Sequence, residues 1–469
     1  MKEIENLKYV SFLAIVAALG GFLFGYDTAV ISGTVTQVSQ QFQLTSMQSG
    51  WYVGCALLGS IIGVLFAGKL SDNMGRKKTM ILSAILFTIS AFGCAVSSNF
   101  NQLVIYRIVG GVGIGVVSIV SPLYISEISP STHRGRMVIL YQLAITIGFL
   151  GAYLMNYYLQ GVSNDFHSSF GLWTKVLGTE VWRGMLGAEV IPALLFFVVI
   201  FFIPESPRWL IVRGKDELAT KTFSKIYNSP PVVHQQISET KKVLQSEEKS
   251  DWRLLFSPGI FRAVLIGSAI AILGQFMGVN AVLYYGPSIF ESSGLSSGDS
   301  LFYQSLIGLV NMGTTVLALL IIDKVGRKKL VYVGVSGMIL SLLLIGFFFL
   351  KGDALGLSSL FLLTFFLLYI FFTAGSISAV IFVFLSEMYP TKIRGLAMSI
   401  AGFSLWIGTF LISQLTPWFL EVIKPAGTFF LFALMCIPYM VIVKKLMPET
   451  AGKSLEEIES FWKKNNKQK

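Results

Sequence analysis

Charged side chains are scarce in this sequence, and their scarcity excludes most soluble folds. Only 13% of its 469 residues are Asp, Glu, Lys or Arg, whereas 54% are hydrophobic. An ordinary soluble domain has about 25% charged residues. The chain is therefore predicted to be an integral membrane protein.

Cysteine and histidine are also rare. The three cysteines, Cys55, Cys94 and Cys436, lie within apolar runs, and the three histidines are far apart. This spacing indicates neither a disulfide framework nor a metal site. The glycines of "VGGVGIGVV" (109–117) lack the spacing of a dinucleotide fingerprint and fit close helix packing better. We predict no cofactor, no metal and no enzymatic activity.

Twelve apolar runs are long enough to cross about 30 Å of hydrocarbon. They are residues 9–34, 49–68, 79–97, 103–126, 137–159, 184–203, 260–290, 301–322, 330–350, 357–385, 396–420 and 426–446. They predict an all-α membrane protein with twelve transmembrane helices in two pseudo-symmetric six-helix bundles. The expected parts are a first bundle (1–203), cytoplasmic linker helices (204–257), a second bundle (258–447) and a cytoplasmic tail (448–469).

Lys and Arg are concentrated in the even-numbered loops between these runs, as in "MGRKK" (74–78) and "HRGR" (133–136). Short cytoplasmic loops carry this excess, so both termini are predicted to be cytoplasmic. The net charge of +11 is then a topology signal, and no nucleic-acid partner is expected. The first external loop lacks an Asn-x-Ser/Thr acceptor, which favours a bacterial inner membrane. We expect a monomer.

The linker is the sizeable polar part of the chain. Within it, "SPRWLIVRGKDELATKTFSKIY" (206–227) predicts one amphipathic helix, and "NSPPVVHQQ" (228–236) predicts a break at Pro230 and Pro231. A second polar helix is expected over 237–256.

The two halves repeat each other's loop motifs. "GKLSDNMGRKK" (68–78) returns as "IIDKVGRKK" (321–329), and "SEISPSTHRGR" (126–136) returns as "SEMYPTKIRG" (386–395). "PESPRWL" (204–210) has an echo in "PETAGK" (448–453). Such duplication in a twelve-span protein indicates a transporter whose halves rock about a central site.

One carboxylate, Asp27, lies inside an otherwise uncharged run from Tyr9 to Lys69. A charge at bilayer depth costs roughly 2.5 to 3.5 kcal/mol on insertion scales, so it is usually paired or functional. Arg107 is the cation available in span four. Glu189 in span six is a second intramembrane carboxylate.

These loop motifs, with "GQFMGVNAVLYYGP" (274–287), resemble the sugar porter family of the major facilitator superfamily over essentially the whole chain. The stretch "GYDTAVISG" (25–33) is similar to the first helix of bacterial proton-coupled xylose symporters. The resemblance implies that Asp27 carries the proton and that Arg107 is its counter-charge. A static structural ion pair is the alternative. For Glu189, a place in the coupling network and a packing role both stay open.

The resemblance also implies a sugar site. Sugar hydroxyls both donate and accept hydrogen bonds, so amides and an aromatic face suit them. The candidate substrate-binding residues are Gln142, Gln275, Asn280, Asn311, Tyr284, Tyr285, Phe382 and Trp406. Helix-to-helix hydrogen bonding is the alternative for any single amide.

Several positions depart from the family pattern. Gly274 stands where relatives usually have a second glutamine, and Leu405 stands where many have an amide. In span ten, "SAVIF" (378–382) replaces the usual Gly-Pro-x-x-Trp. These changes predict an altered pocket. Loss of the proline is expected to remove a break in span ten, although Gly375 remains as a flexible point.

The remaining charges are expected to form a network at the cytoplasmic helix ends. Its predicted members are Asp72, Arg76, Glu127, Arg134, Arg136, Glu205, Arg208, Asp323, Arg327, Glu387, Arg394 and Glu449. Ion pairs among them would hold the two bundles together and favour an outward-open state. The alternative is that the cations only set topology.

The sequence therefore predicts proton-coupled import of a monosaccharide, a pentose or hexose such as xylose or glucose, by alternating access. The expected partners are a small sugar, protons and the lipid bilayer. The alternatives are a facilitative sugar or polyol uniporter and a non-transporting sugar sensor.

Overall fold

The computed structural model describes residues 5–165, 174–246, 252–389, 393–447 and 449. Within these ranges, twelve helices are long and apolar enough to cross a membrane. The predicted all-α membrane fold is confirmed.

The spans follow the predicted runs and extend most of them by a few polar residues. Spans one to six are Leu7–Gly33, Ser46–Met74, Arg76–Val96, Phe100–Ile128, Arg134–Ser163 and Val181–Phe202. Spans seven to twelve are Gly259–Ser292, Ser297–Ile322, Arg327–Lys351, Ser359–Leu385, Arg394–Val422 and Lys424–Lys445.

Three spans are interrupted helices. Span six is built from Val181–Gly187 and Val190–Val199, and Glu189 lies between them. Span seven is built from Pro258–Phe276 and Val279–Ser292, and span ten from Ser359–Gly375 and Ile377–Met388. The break in span ten persists without a proline.

The linker differs from the prediction in two places. The first predicted helix is two helices, Pro207–Val212 and Asp216–Ile226, because Gly214 adopts a φ of +69° between them. The predicted break lies just before Pro230, because residues 227–229 separate the helix that ends at Ile226 from the next one, which runs over Pro230–Ser246. Proline suits the first turn of a helix, where its missing N–H would have no helical partner. A short turn, Trp252–Phe256, follows.

The chain packs as two units. The first comprises Met1–Thr34 and Cys55–Glu248, so the described linker helices pack with it. The second comprises Val35–Gly54 and Lys249–Lys469. The short helix Val35–Gln41 and the first turns of span two therefore belong to the second unit. The sequence-based division into separate bundles, linker and tail stays a prediction.

Glycines let helices of the first unit approach each other closely. A Cβ added to Gly25 in span one would collide with the backbone oxygen of Ile145 in span five. A Cβ on Gly111 in span four would collide with the backbone oxygen of Ala56 in span two. The expectation of close helix packing in span four is confirmed at Gly111, whereas Gly113 has room for a side chain.

Large apolar side chains face outward along the spans. Phe66 is 62% exposed, Phe202 71% and Leu320 67%. Hydrocarbon covers such surfaces in a membrane protein, whereas water would make them a liability.

Replacement of Gly111 by alanine is expected to destabilise the protein by about 1–3 kcal/mol, because the added methyl group overpacks two helix backbones. Gly113→Ala is the matched control, since its Cβ would meet side-chain and backbone atoms only at 3.5 Å. The apparent unfolding temperature in detergent checks both variants. Equal temperatures would contradict the packing role of Gly111.

Candidate functional site

A buried ion pair joins span one to span four. The side chains of Asp27 and Arg107 are 0% and 2% exposed. Arg107 Nη1 donates to Asp27 Oδ1, and the Asp27 backbone oxygen lies 3.4 Å from the same nitrogen. The structure thus brings together the two intramembrane charges that the sequence singled out, and each offsets the other's desolvation.

The second carboxylate oxygen of Asp27 is in a different environment from the first. Asp27 Oδ2 is buried and has no hydrogen-bond partner among the described residues. A Cβ on Gly110 would lie 2.8 Å from this oxygen, so only glycine leaves it space. An unsatisfied buried carboxylate oxygen is uncommon in folded proteins.

Glu189 and Tyr26 lie near this ion pair. Glu189 is buried at the interruption of span six, within electrostatic range of Asp27 and Arg107. Tyr26 is buried within range of Glu189. Glu189 Oε1 and the Tyr26 hydroxyl have no hydrogen-bond partner in the described part of the chain. Three buried polar atoms, Asp27 Oδ2, Glu189 Oε1 and the Tyr26 hydroxyl oxygen, thus lack a hydrogen-bond partner among the described residues.

The second unit places two of the predicted sugar-binding amides at the break in span seven. Gln275 lies in the last turn before the break and Asn280 in the first turn after it. Between them, Gly278 adopts a φ of +94°, which glycine alone accepts without strain. Asn280 Nδ2 donates to Gln275 Oε1 at 2.7 Å.

Other contacts hold this break in place. The Tyr369 hydroxyl of span ten donates to the Met277 backbone oxygen at 2.8 Å. Thr409 Oγ1 of span eleven lies 3.1 Å from Gln275 Oε1. Tyr285 donates its hydroxyl to the Ser413 backbone oxygen at 2.6 Å. An interrupted helix near the middle of a span is where transporters place polar ligands.

The remaining candidates for sugar binding are distributed more widely. Trp406 is half-buried one helical turn before Thr409, Asn311 is half-buried on span eight, and Tyr284 is buried. Gln142 is exposed on span five of the first unit. The side chain of Phe382 lies outside the described part of the structure.

A charged cluster surrounds the turn between spans two and three. Arg76 donates from Nε to Glu127 Oε2 and from Nη2 to Glu127 Oε1, both at 2.9 Å. Its Nη1 lies 3.1 Å from Asp72 Oδ1. Ser206 Oγ donates to Glu127 Oε2 at 2.5 Å. The Arg76 to Glu127 pair is bidentate and largely buried, a strong form of the interaction.

Glu205 acts at the same turn as a helix cap. Its Oε1 accepts the backbone N–H groups of Arg76 at 2.9 Å and Lys77 at 3.2 Å, the first two residues of span three. These N–H groups have no partner within the helix. Burial raises the pKa of Glu205, and the N–H groups of Ser206, Lys77 and Arg76 act in the opposite direction.

The second unit repeats this arrangement. Arg327 Nη2 donates to Glu387 Oε1 at 3.0 Å. Glu449 accepts the backbone N–H groups of Arg327 at 3.2 Å and Lys328 at 3.1 Å, at the start of span nine. Gly75 and Gly326, with φ of +94° and +91°, make the two equivalent turns. The duplicated motifs therefore build duplicated geometry.

The other predicted network members are placed less tightly. Arg134 and Arg136 are exposed, Arg208 is half-buried, and Arg394 Nε donates to the Tyr389 backbone oxygen at 3.4 Å. The side chain of Asp323 lies outside the described residues. Each pair described above joins two residues of one unit, so an ion-pair link between the bundles stays a prediction.

Sequence reasoning missed three features of these sites. Thr409 contacts Gln275, Ser206 contacts Glu127, and the two capping carboxylates bind backbone groups. Ser206 could have been found, because a serine before a proline is a common helix start. The described residues contain no group of three His, Cys, Asp or Glu side chains that could hold a metal ion.

Glu127→Gln is expected to destabilise the protein by about 2 kcal/mol, because the Arg76 guanidinium loses its buried counter-charge. Asp72→Asn is the matched control on the same arginine, and its side chain is 72% exposed. An exposed ion pair contributes at most about 1 kcal/mol. Unfolding temperatures in detergent compare the two, and a larger loss for Asp72→Asn would refute this ranking.

The chain is similar in sequence to a known family of transporters. Residues 13–462 match a family profile described as "Sugar (and other) transporter". The chain is 36% identical over 458 residues to the arabinose-proton symporter of Bacillus subtilis, covering 98% of this chain and 96% of that protein. It is 35% identical over 495 residues to the D-xylose-proton symporter of Escherichia coli, covering 98% and 97%.

The chain is also similar in fold to the solved structure of a sugar transporter. The chain is similar to the xylose transporter of E. coli in an inward open conformation, with a TM-score of 0.82 and 32% sequence identity. The match covers 97% of this chain and 100% of that one.

Proposed function

This chain belongs to the sugar transporter family, and on that premise we propose that it imports a monosaccharide together with protons by alternating access. The observation that carries the proposal is the buried pair of Asp27 and Arg107 with its unpartnered carboxylate oxygen. A static structural ion pair is the alternative explanation of this contact.

The pair supplies a physical basis for coupling. Arg107 favours the ionised form of Asp27, whereas burial favours the protonated form. A proton on Asp27 neutralises the carboxylate and weakens its bond to Arg107. Any motion that separates span one from span four then changes the proton affinity of Asp27. Glu189 and Asp27 would share the proton within this cluster.

The sugar site proposed here is centred on Gln275 and Asn280, at the break in span seven. Asn311, Tyr284, Tyr285, Phe382 and Trp406 are its proposed further members in the second unit, and Gln142 of the first unit stays a predicted sugar-binding residue. The substrate class is a neutral pentose or hexose such as xylose or glucose, because the two amides can bind hydroxyls without a counter-ion. Gly274 and Leu405 supply no hydrogen-bonding side chain. The site therefore binds fewer sugar hydroxyls than it would with an amide at each of these two positions.

The remaining proposals concern topology and movement. The protein would lie in a bacterial inner membrane as a monomer, with both termini in the cytoplasm. The duplicated charge clusters would stiffen the cytoplasmic ends of the spans so that each half moves as a body. Lys and Arg at the turns of Gly75 and Gly326 support this orientation.

Asp27→Asn is expected to abolish proton-driven accumulation while leaving exchange intact. The amide keeps the size of the side chain but binds no proton. In proteoliposomes, an inward gradient of one pH unit should let the wild type accumulate labelled sugar up to about tenfold if one proton moves with each sugar. The variant should still perform counterflow with the same sugar.

Asp353→Asn, in the exposed turn after span nine, is the matched control and should accumulate sugar like the wild type. Equal accumulation by wild type and Asp27→Asn would refute coupling through Asp27 and favour a static ion pair. Absence of counterflow with every pentose, hexose, deoxy sugar and polyol tested would refute sugar transport itself.

A further inference from the structure

Gln275 contacts two polar side chains from different spans. Its Oε1 atom accepts from Asn280 Nδ2 at 2.7 Å and lies 3.1 Å from Thr409 Oγ1. Asn280 is in the same span, whereas Thr409 comes from span eleven, 134 residues later. Thr409 is buried, with 5% of its surface exposed.

The Thr409 hydroxyl proton has two candidate acceptors. One is Gln275 Oε1, and the other is the Leu405 backbone oxygen at 2.9 Å, one turn earlier in the same helix. Position 405 lies in a continuous helix, where its carbonyl receives the backbone N–H of residue 409. The Leu405 contact is the shorter of the two, and rotation of the hydroxyl about its C–O bond lets the same proton reach Gln275 Oε1 instead.

Two donors saturate an amide oxygen, which has two lone pairs. With Oε1 occupied, Gln275 keeps its NH₂ group for a ligand, and Asn280 keeps its carbonyl oxygen. Neither of these atoms has a protein partner within the described ranges. The break in span seven therefore presents one donor group and one acceptor group in fixed places.

We propose that Thr409 is a specificity-determining residue of this site: by donating to Gln275 Oε1, it fixes the side-chain amide so that its NH₂ group faces a sugar hydroxyl. This inference rests on the sugar-transport function proposed above and adds a residue to it. Thr409 lies one helical turn after Leu405, which supplies no hydrogen-bonding side chain. Thr409 therefore acts through Gln275 at a site to which position 405 offers no direct hydrogen bond.

The consequence concerns selectivity between sugars. An ordered amide discriminates strongly between a sugar and its deoxy analogue, because the analogue leaves a polar group unpaired. An amide free to rotate discriminates less, since it can turn its oxygen or its nitrogen toward whatever the ligand offers.

Thr409→Val tests this assignment, because valine keeps the shape and removes the hydroxyl. Competition by a series of monodeoxy sugars against counterflow of the labelled parent sugar gives the discrimination ratio for each hydroxyl. In the wild type, one position should show a ratio on the order of tenfold. In Thr409→Val that ratio should fall several-fold, while the ratios at the other positions stay constant. Thr409→Ser should restore it.

Thr416→Val is the matched control. Thr416 is a buried threonine of the same helix, and its hydroxyl donates to the Ile412 backbone oxygen at 2.6 Å. It should leave every ratio unchanged. If Thr409→Val is not recovered as folded protein in detergent, Thr409→Ala is measured in its place.

The outcomes separate the two proposals. Unchanged ratios in a folded Thr409 variant, or an equal loss of affinity for all sugars, would overturn the role of Thr409 and leave sugar transport standing. Failure of the wild type to exchange any sugar would overturn both. A selective fall at one hydroxyl, absent from Thr416→Val, would establish the inference.

Discussion

A charge within hydrocarbon needs a partner, and the pair of Asp27 and Arg107 meets this constraint between two helices. Their contact requires spans one and four to approach closely, and Gly110 leaves the space beside Asp27 Oδ2. Glu189 reaches the same region because span six is interrupted at that residue. The cluster thus depends on backbone features as much as on its charges. A desolvated pair of this kind is also sensitive to a single proton, which is what coupling needs.

Helix ends impose a second constraint, since their first N–H groups lack partners within the helix. The chain solves it in the same way twice. Glu205 and Glu449 each accept the N–H groups that begin a span, and Glu127 and Glu387 each receive the arginine beside that turn. The repeated motif is therefore a cap and an ion pair in one device. The unpaired N–H groups at a helix start require such a cap whether or not the charges have a role in transport.

Interrupted helices place the polar groups of the second unit. The break at Gly278 separates Gln275 from Asn280 by little more than one turn and turns both amides to a common contact. Tyr369 and Thr409, from two other spans, secure the break. Side chains that only hold an amide in place carry selectivity as surely as those that touch the ligand, because an amide's polarity depends on its orientation.

The sequence by itself determined the twelve spans, the duplication and the few intramembrane polar residues, because hydrophobic run length and charge are local properties. It did not reveal that Pro230 begins a helix, that span ten breaks without proline, or that Glu205 and Glu449 are caps. Only the tertiary structure decided that Asp27 contacts Arg107 and that Thr409 contacts Gln275. From the sequence, Gln142 and Trp406 were predicted sugar-binding residues, whereas Thr409 was not. Those pairings join helices distant in the chain, and they depend on packing geometry that no local pattern encodes.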